Sequence, residues 1–382
     1  MSPTSSAQKR SNLLINFDSM KRILEVLTYI NSGGAEMVVY NYLSHMNWEG
    51  LCFDVLAIEQ PFKPFLEDKF KEMGVGVYYL PTSIIKRFSA FEKLIVNNRY
   101  DVIHSHCEFL SEIYMAIAAK HGIKIRIIHS HMAGGHYSII KNIYAPIGKF
   151  IAKRTATHFF GCGIDACKSQ WGMKLYNEGK CYVLNNAVDI RKFIYDEEVR
   201  EKVRIDLGWS GKRVILNVGR FVEQKNHAFI IDVFSSMIAK GIDNVMLVLI
   251  GEGPLKTSVE SRVKSLGLES YVQFLGRRND VNQLLNGADV FFLPSLFEGF
   301  PVVSVEAQAN GLPIVMSDEI TRECGITDLA SFVSLNSAKQ LWVDALMRDF
   351  SNRCSYNKAV ADNNYDLNLE ATKLRYFYLD KK

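Results

Sequence analysis

The sequence predicts an α/β protein with two Rossmann-like parallel-sheet domains, on three observations. The chain has 382 residues and is 48% hydrophobic, which is enough for two separate cores. Short strand-like runs alternate with helix-length segments up to about residue 335, as in parallel α/β sheets. These runs form two series, separated by a segment of different composition.

The predicted strands divide between the two halves of the chain. The first series covers residues 22–30, 53–58, 75–80, 101–106, 124–131, 158–162 and 181–184. The second series covers residues 214–220, 245–251, 271–276, 289–293 and 313–316. After about residue 336 only helical patterns remain, so we expect a helical C-terminal tail.

Four segments follow from this pattern. Residues 1–19 are polar and irregular, and we expect a disordered or extra leader. Residues 20–190 form the first domain and residues 191–355 the second, with a hinge near residue 190. Residues 356–382 are expected to form helices that pack back on the first domain.

Charge and cysteine content exclude several classes of protein. A net charge of +4 without a lysine- and arginine-rich block gives no indication of nucleic-acid binding. Seven cysteines at irregular spacing indicate reduced, mostly buried thiols rather than a disulfide framework or a C-x2-C metal-binding motif. No uncharged apolar run approaches the roughly 20 residues needed to span a bilayer, and we expect a cytoplasmic protein.

The most informative motif is the segment from Glu298 to Glu306, directly after the strand at 289–293. Pro301 suits the first position of a helix, so the preceding turn offers free amides at a positive helix end. Glu298 lies before this helix and Glu306 inside it, so each carboxylate can contact a different part of one ligand.

A second motif follows the strand at 214–220, where Arg220 and Lys225 lie five residues apart on one loop. In open α/β sheets ligands bind beyond the carboxyl ends of strands, and this pair matches a diphosphate. The chain contains no D-x-D triplet. Fixed protein cations therefore favour a mechanism without a metal or another cofactor.

Two further motifs follow strands of the first half. Gly33 and Gly34 form a turn in which the backbone can approach an anion or a sugar, although the turn is not a G-x-G-x-x-G motif. His106 ends one strand, and His129 and His131 end the next. A metal site is conceivable at these histidines, but hydrogen bonding is the favoured role because no cysteine or carboxylate lies at ligand spacing.

Taken in order, these motifs resemble those of the retaining GT-B glycosyltransferases of family 4, especially bacterial capsule, exopolysaccharide and O-antigen enzymes. The resemblance extends from about residue 20 to the C-terminus and includes Gly251-Glu-Gly253-Pro. One departure is Asn186-Ala187-Val188-Asp189, where the family often has glycine in place of Ala187. The resemblance implies two domains that face each other across a cleft, and retention of anomeric configuration by a front-face route.

The resemblance also implies roles for individual residues. Arg220 and Lys225 would bind the donor diphosphate, Glu306 the ribose, and Glu298 the hydroxyls of the donor sugar. His131 best matches the cleft histidine of the family, with His129 as the alternative. The implied catalytic set is His131, Glu298, Arg220 and Lys225; the donor site adds Gly33, Gly34, Gly219, Gly299, Phe300, Val302 and Glu306, and the acceptor side His106 and His129.

The implied substrates are a nucleotide sugar, most simply a UDP-sugar, and a glycan or polyprenyl-diphosphate-linked acceptor. Residues 113–164 contain no acidic residue, and the apolar and basic segment 138–154 can lie on an anionic membrane. A core-packed helix with a solvated basic face is the alternative, since Pro146 interrupts a continuous amphipathic helix. We expect a cytoplasmic protein with peripheral contact at the inner face of the membrane.

Two other functions fit the same fold. One is a sugar-nucleotide epimerase or a phosphorylase, and the other is a non-catalytic sugar-nucleotide-binding scaffold. The presence of Arg220, Lys225, Glu298 and Glu306 together argues against the scaffold, which has no chemical need for all four.

Overall fold

The structure is a computed structural model that describes residues 20–31, 33–107, 110–131, 139–350 and 353–380, with the backbone alone for residues 139–145. The predicted leader, residues 1–19, lies outside the described residues, as does part of the segment that follows His131.

Within the described ranges, the first domain contains a sheet of seven parallel strands in the order β3-β2-β1-β4-β5-β6-β7. The strands are β1 (Lys21–Val26), β2 (Leu51–Ile58), β3 (Gly76–Leu80), β4 (Val102–Ser105), β5 (Ile125–Ser130), β6 (His158–Gly161) and β7 (Cys181–Val183). The helices are α1 (Gly34–His45), α2 (Glu67–Glu72), α3 (Ile84–Asn98), α4 (Ser111–Lys120), α5 (Ile139–Thr155), α6 (Ile164–Trp171) and α7 (Met173–Asn177).

The second domain contains a six-stranded parallel sheet in the order β10-β9-β8-β11-β12-β13. The strands are β8 (Arg213–Val218), β9 (Val245–Ile250), β10 (Val272–Gly276), β11 (Val290–Leu293), β12 (Ile314–Ser317) and β13 (Ala330–Val333). The helices are α8 (Glu197–Asp206), α9 (His227–Ile238), α10 (Lys256–Ser265), α11 (Val281–Gly287), α12 (Val302–Ala309), α13 (Lys339–Met347) and α14 (Asn357–Asp362). The last helix, α15 (Leu367–Tyr378), follows the second domain in sequence but packs on the first.

The central strands are apolar because helices cover both faces of each sheet. β9 has the sequence Val-Met-Leu-Val-Leu-Ile, and all six of its residues are buried. Parallel strands covered on both faces have such continuous apolar runs. The strand order reverses between β1 and β4 in the first sheet and between β8 and β11 in the second. Ligands of open α/β sheets bind at these switch points, and the predicted motifs follow these strands.

The predicted series of strands agree with the two sheets, except that β13 was not predicted. Its residues, Ala330 to Val333, are only half-buried at the edge of the sheet, so the sequence lacks the apolar run of a central strand. The prediction for Pro301 also differs from the structure. Pro301 is the N-cap of α12, one position before the first helical residue, Val302.

The chain crosses between the domains twice, and the two crossings are hydrogen-bonded to each other. The Val188 amide donates to the Tyr365 carbonyl over 3.0 Å, and the Leu367 amide donates to the Val188 carbonyl over 2.9 Å. From Leu367 onward, α15 packs against α1 and joins the core of the first domain.

The tail was predicted to pack back on the first domain from residue 356, and the structure places its first helix elsewhere. α14 packs against α12, and its Val360 belongs to the core of the second domain. Only α15 lies on the first domain, because the chain crosses over between Tyr365 and Leu367. The other proposed domain boundaries stay predictions.

The cysteines are not all reduced, contrary to the prediction. Cys167 on α6 and Cys181 on β7 form a disulfide. The pair brings together α6 and the adjacent edge strand, which the sequence spacing of 14 residues does not indicate. The other five cysteines, all within the described residues, form no disulfide. Among the described residues, no helix combines the length and apolar character needed to cross a membrane.

Candidate functional site

The loops that follow β8 and β11 meet at Glu298. Its Oε1 lies 2.5 Å from Lys225 Nζ and accepts a hydrogen bond from Ser295 Oγ over 2.7 Å. Its Oε2 accepts a hydrogen bond from Gln224 Nε2 over 3.2 Å. Both carboxylate oxygens are therefore occupied, and Lys225 balances the charge. The structure thus brings together two predicted site residues, Lys225 and Glu298, whereas Ser295 and Gln224 were not predicted.

The loop after β8 is built on close backbone contacts between glycines. Gly251 has a φ of +140°, and a Cβ atom there would lie 2.0 Å from the Gly219 carbonyl oxygen. A Cβ atom on Gly253 would lie 2.5 Å from the Phe221 carbonyl oxygen. The Lys225 side chain passes over Gly219, where a Cβ atom would lie 3.2 Å from its Cδ. These glycines let the loop direct Lys225 toward Glu298.

Arg220 is exposed just beyond the end of β8, and its guanidinium group forms no hydrogen bond or ion pair with any residue that the structure describes. A guanidinium group without a protein partner is available for a bidentate contact with an anion. Arg220 and Lys225 thus differ, since Lys225 is held by Glu298.

Glu306 lies on α12 and is partly exposed. Burial raises the pKa of its carboxyl group to about 7. Within the described part of the chain, this carboxyl group makes no hydrogen bond or ion pair, so ligand hydroxyls can become its partners. Phe300, just before the helix, is buried and stacks on Tyr365 with ring centroids 5.1 Å apart. Its backbone, rather than its ring, is therefore the group that can contact a donor.

At the end of β1, the predicted glycine turn precedes α1, with Gly33 as the N-cap and Gly34 as the first helical residue. A Cβ atom on Gly33 would lie 2.2 Å from Glu36 Oε2, whereas one on Gly34 would meet no atom within 4 Å. The Glu36 carboxyl group therefore folds back over the helix end, and burial raises its pKa. Because this acid lies at the turn, sugar hydroxyls suit it better than a bare phosphate.

Four histidines form a cluster at the ends of β4 and β5: His104, His106 and His129, which are buried, and His131, which is partly exposed. His131 Nε2 lies 2.8 Å from His106 Nδ1, and His106 Nε2 lies 2.8 Å from Glu25 Oε2. The Tyr378 hydroxyl donates to Glu25 Oε1 over 2.8 Å, and His104 Nδ1 lies 2.6 Å from this hydroxyl.

Burial controls the charges in the cluster. It raises the pKa of Glu25 to about 8, although the Tyr378 hydrogen bond opposes this shift. It lowers the pKa of His106 to about 3 and holds the pKa of His104, His129 and His131 well below the usual range. All four imidazoles are therefore neutral at physiological pH.

Exposure distinguishes the two histidines that the sequence left as alternatives for the cleft. His131 is partly exposed, whereas His129 is completely buried. This difference favours His131 as the histidine that reaches a ligand. His106 and His129, predicted for the acceptor side, are both buried, so they reach an acceptor only through other residues in this arrangement.

One nitrogen from each of His104, His106 and His129 lies within 4.8 Å of the others, so the structure does place three potential metal ligands together. In this arrangement, however, two of these imidazoles already have hydrogen-bond partners in Glu25, Tyr378 and His131.

Residues of both domains surround the open side of Glu298. A cavity of about 480 Å³ is lined by Asp165, Lys168 and Ser169 from α6 and by Glu298, Glu319 and Thr321 from the second domain. Beside it, Glu323 Oε2 and Oε1 accept hydrogen bonds from the Ile164 and Asp165 amides at 2.7 and 2.6 Å. Glu298 thus lies on one wall of an interdomain cleft, opposite α6.

The chain is similar to known glycosyltransferases over the segment that carries the second-domain residues. The sequence model of the family described as "Glycosyl transferases group 1" matches residues 199–341, which include Arg220, Lys225, Glu298 and Glu306. The chain is 29% identical to "Putative glycosyltransferase EpsF" of Bacillus subtilis over 340 residues, covering 86% of this chain and 88% of the relative.

A second relative carries a more specific description. The chain is 26% identical to the "UDP-Gal:alpha-D-GlcNAc-diphosphoundecaprenol alpha-1,3-galactosyltransferase" of Escherichia coli over 345 residues, covering 84% of this chain and 86% of the relative. Among solved structures, Anabaena HepE in complex with UDP is similar, with a TM-score of 0.78 and 16% identity over 94% of this chain and 100% of HepE. The fold is therefore GT-B, as predicted, and the matches support a glycosyltransferase.

Proposed function

We propose that this chain is a retaining glycosyltransferase of family 4 that transfers a sugar from a UDP-sugar to a glycan or polyprenyl-diphosphate-linked acceptor in cell-surface polysaccharide synthesis. The observation that carries the proposal is the Lys225–Glu298 pair, which lies in the interdomain cleft between the end of β8 and the start of α12. A cation for phosphate and an acid for sugar hydroxyls are thereby held side by side.

The donor site derives its positive charge from the protein. Arg220, Lys225 and the amides at the start of α12 neutralise the diphosphate, and each charge-assisted contact contributes about 1.5 to 3 kcal/mol. Negative charge grows on the nucleoside diphosphate as the sugar departs, so these contacts strengthen in the transition state. The proposed mechanism therefore uses neither a metal nor another cofactor.

Glu298 orients the donor sugar rather than attacking it. Hydrogen bonds and an ion pair occupy both of its oxygens, which lowers the nucleophilicity of the carboxylate. We therefore propose retention by a front-face reaction in which the leaving phosphate helps to deprotonate the acceptor. Glu306 accepts hydrogen bonds from the ribose, and His131 contacts the donor sugar from the first domain.

The acceptor enters between α6 and the second domain, where the cavity opposite Glu298 presents Asp165, Lys168 and Ser169. Such a polar lining suits the hydroxyl groups of a glycan. A lipid-linked acceptor is proposed because the E. coli relative is described as acting on a diphosphoundecaprenol substrate.

Contact with the membrane is proposed for α5. Ile147 and Phe150 on this helix are each 57% exposed, and Lys149 and Lys153 lie close to them in sequence. Exposed apolar side chains beside lysines suit the interface of an anionic bilayer. Docking at the cytoplasmic face would bring the cleft close to a lipid-linked acceptor.

Incubation of the protein with a panel of nucleotide sugars and a polyprenyl-diphosphate-linked glycan tests the proposal by release of the nucleoside diphosphate. Glu298→Ala should abolish release. Asp232→Asn is the matched control, because Asp232 forms an exposed ion pair with Arg262 on the same domain, away from the cleft. Equal turnover by the Glu298→Ala variant and the wild type would exclude the role assigned to Glu298.

The alternative functions give different results in the same experiment. An epimerase converts the sugar nucleotide without a net release of UDP. A phosphorylase of this fold requires pyridoxal phosphate, so visible absorbance of the purified protein would indicate one. A scaffold binds UDP without any turnover.

A further inference from the structure

A continuous chain of hydrogen bonds connects the cleft histidine of the first domain with the last helix. It runs from His131 through His106 to Glu25, and from Glu25 to Tyr378 on α15, with each separation 2.8 Å. All members except His131 are buried, so water does not compete for these bonds. The outer end of the chain is His131, the residue proposed to contact the donor sugar; its Nδ1 atom is buried in this arrangement, so a sugar hydroxyl reaches it only after local rearrangement.

The ionisation state of Glu25 determines the direction of the two bonds that link Glu25, His106 and His131. An ionised Glu25 only accepts, so it takes one hydrogen bond from Tyr378 and one from His106 Nε2–H. A neutral His106 then carries no proton on Nδ1, which accepts from His131 Nε2–H. His131, also neutral, consequently has a lone pair on Nδ1.

Protonation of Glu25 changes the tautomers of both histidines. The Glu25 hydroxyl donates to His106 Nε2, so His106 carries its proton on Nδ1 and donates to His131 Nε2. His131 then carries its proton on Nδ1. The net change is one proton added to the chain, and both imidazoles stay neutral in both states.

We propose that Glu25 and Tyr378 are positioning residues that set the tautomer of His131, so that ionised Glu25 makes His131 Nδ1 a hydrogen-bond acceptor for a substrate hydroxyl. The inference rests on the proposed function, since it assigns His131 to the sugar site. Tyr378 stabilises the active form, because its hydroxyl donates to the Glu25 carboxylate.

Hydrogen-bond donors, rather than a positively charged side chain, stabilise the ionised form of Glu25. His104 Nδ1 from β4 lies 3.5 Å from Glu25 Oε2, and Tyr42 from α1 lines the same small cavity. No lysine or arginine in the described part of the chain contacts Glu25. Burial raises the pKa of Glu25 to about 8, which places the change of tautomer within the pH range in which the enzyme can be assayed.

NMR of protein labelled with ¹⁵N in its histidines measures the tautomers without any substrate. In the wild type, His106 and His131 should change tautomer together as the pH rises through about 8. In Glu25→Gln, the carboxamide NH₂ donates to His106 Nε2, so His106 should keep its proton on Nδ1 at every pH. The proposal would be overturned if the tautomers did not change with pH in the wild type, or if they still changed with pH in Glu25→Gln.

Steady-state kinetics measure the consequence for turnover. Tyr378→Phe removes a donor to Glu25 and raises its pKa, so the acidic limb of the kcat profile should move to higher pH. Glu25→Gln should lower kcat at pH 9 by roughly 10- to 100-fold and remove this limb, since one substrate hydrogen bond is lost. The Kd for UDP should change less than about twofold in both variants, because neither residue contacts the nucleotide.

The matched control is Tyr100→Phe, which removes another buried tyrosine hydroxyl that donates to a carboxylate, Asp54, over 2.7 Å in the same domain. This variant should leave the position of the acidic limb unchanged. A folded Tyr378→Phe variant with an unmoved limb would overturn the role of Tyr378, whereas equal shifts in both variants would indicate a general effect on the domain.

Two further outcomes separate this inference from its premise. A wild type that turns over no nucleotide sugar would defeat the proposed function, while the NMR measurement would still decide whether Glu25 sets the tautomers. A stoichiometric transition metal in the purified protein, lost in His129→Ala, would overturn the chain, since His104 and His106 would then be ligands rather than hydrogen-bond partners.

Discussion

Lys225 and Glu298 form an ion pair, with Nζ and Oε1 separated by 2.5 Å and both side chains largely buried. The two residues are 73 positions apart, yet both follow strands at the switch point of the second sheet. The proposed donor diphosphate must therefore share Lys225 with Glu298. This competition gives the two residues opposite effects on nucleotide binding.

Replacement of Lys225 by Met should weaken UDP binding by roughly 10- to 100-fold, because a charge-assisted contact is lost and Glu298 remains without its partner. Glu298→Gln should leave UDP affinity unchanged or increase it, since Lys225 becomes fully available to the diphosphate. Turnover should fall sharply in both variants. Calorimetric titration with UDP checks the prediction, and a large loss of UDP affinity in Glu298→Gln would contradict it.

Glu306 should make both nucleotide binding and stability depend on pH near neutrality. Its folded-state pKa is raised from 4.5 to about 7, so the folded protein binds more protons than the unfolded chain between these values. The contribution of Glu306 to stability therefore decreases as the pH rises through this window. At pH 8, Glu306→Gln should increase the free energy of unfolding by about 1 to 3 kcal/mol.

The same substitution should act in the opposite direction on ligand binding. In the proposed donor site an ionised Glu306 accepts hydrogen bonds from the ribose, so wild-type affinity for UDP should fall as the pH drops below about 7. Glu306→Gln should bind UDP more weakly at pH 8 and lose this pH dependence. A variant that retains the wild-type dependence would show that another group titrates.

The second-domain site could be predicted from local sequence, since each of its residues follows a strand. Arg220, Lys225 and Glu298 lie just beyond apolar runs, and the carboxyl ends of parallel strands meet at one edge of the sheet. Ser295 and Gln224 lie within the same two loops. Their roles were missed because side-chain direction within a loop does not follow from spacing.

The first-domain network could not be predicted, because its key contact joins Glu25 and Tyr378 across 353 positions. The chain returns to β1 only after the second domain is complete, and the hydrophobic periodicity of α15 does not indicate which element it packs against. One signal was present in the sequence. Glu25 is the charged residue within the buried part of β1, residues 23–26, and a buried acid of this kind requires a partner.

Gly251→Ala should destabilise the second domain and weaken UDP binding. The new Cβ atom would lie 2.0 Å from the Gly219 carbonyl oxygen, so the loop that carries Arg220 must move. We expect a loss of roughly 2 to 4 kcal/mol from overpacking and an unfavourable φ. Gly208→Ala is the control, since Gly208 also has a positive φ but open space around it, and should cost only about 1 kcal/mol. Equal losses in thermal denaturation would contradict the contact.

Substitution of Ile147 and Phe150 by Ser should reduce binding to anionic vesicles. Both side chains are exposed on α5, and their transfer into the bilayer interface would add apolar burial to the attraction of Lys149 and Lys153. Flotation with phosphatidylglycerol-containing liposomes at low salt measures the fraction of protein bound to the vesicles. This fraction should fall roughly several-fold, because two apolar side chains no longer enter the bilayer interface.

The control for this experiment is Ile85→Ser, which removes the 85% exposed isoleucine of α3 from a helix with no proposed membrane role. This variant should float like the wild type. Binding that is lost at high salt but is equal in all three proteins would mean that charge alone holds the protein on the vesicle. Wild-type protein that fails to float on anionic vesicles would exclude peripheral docking through α5, because neither the lysines nor the apolar side chains would then contribute measurable affinity.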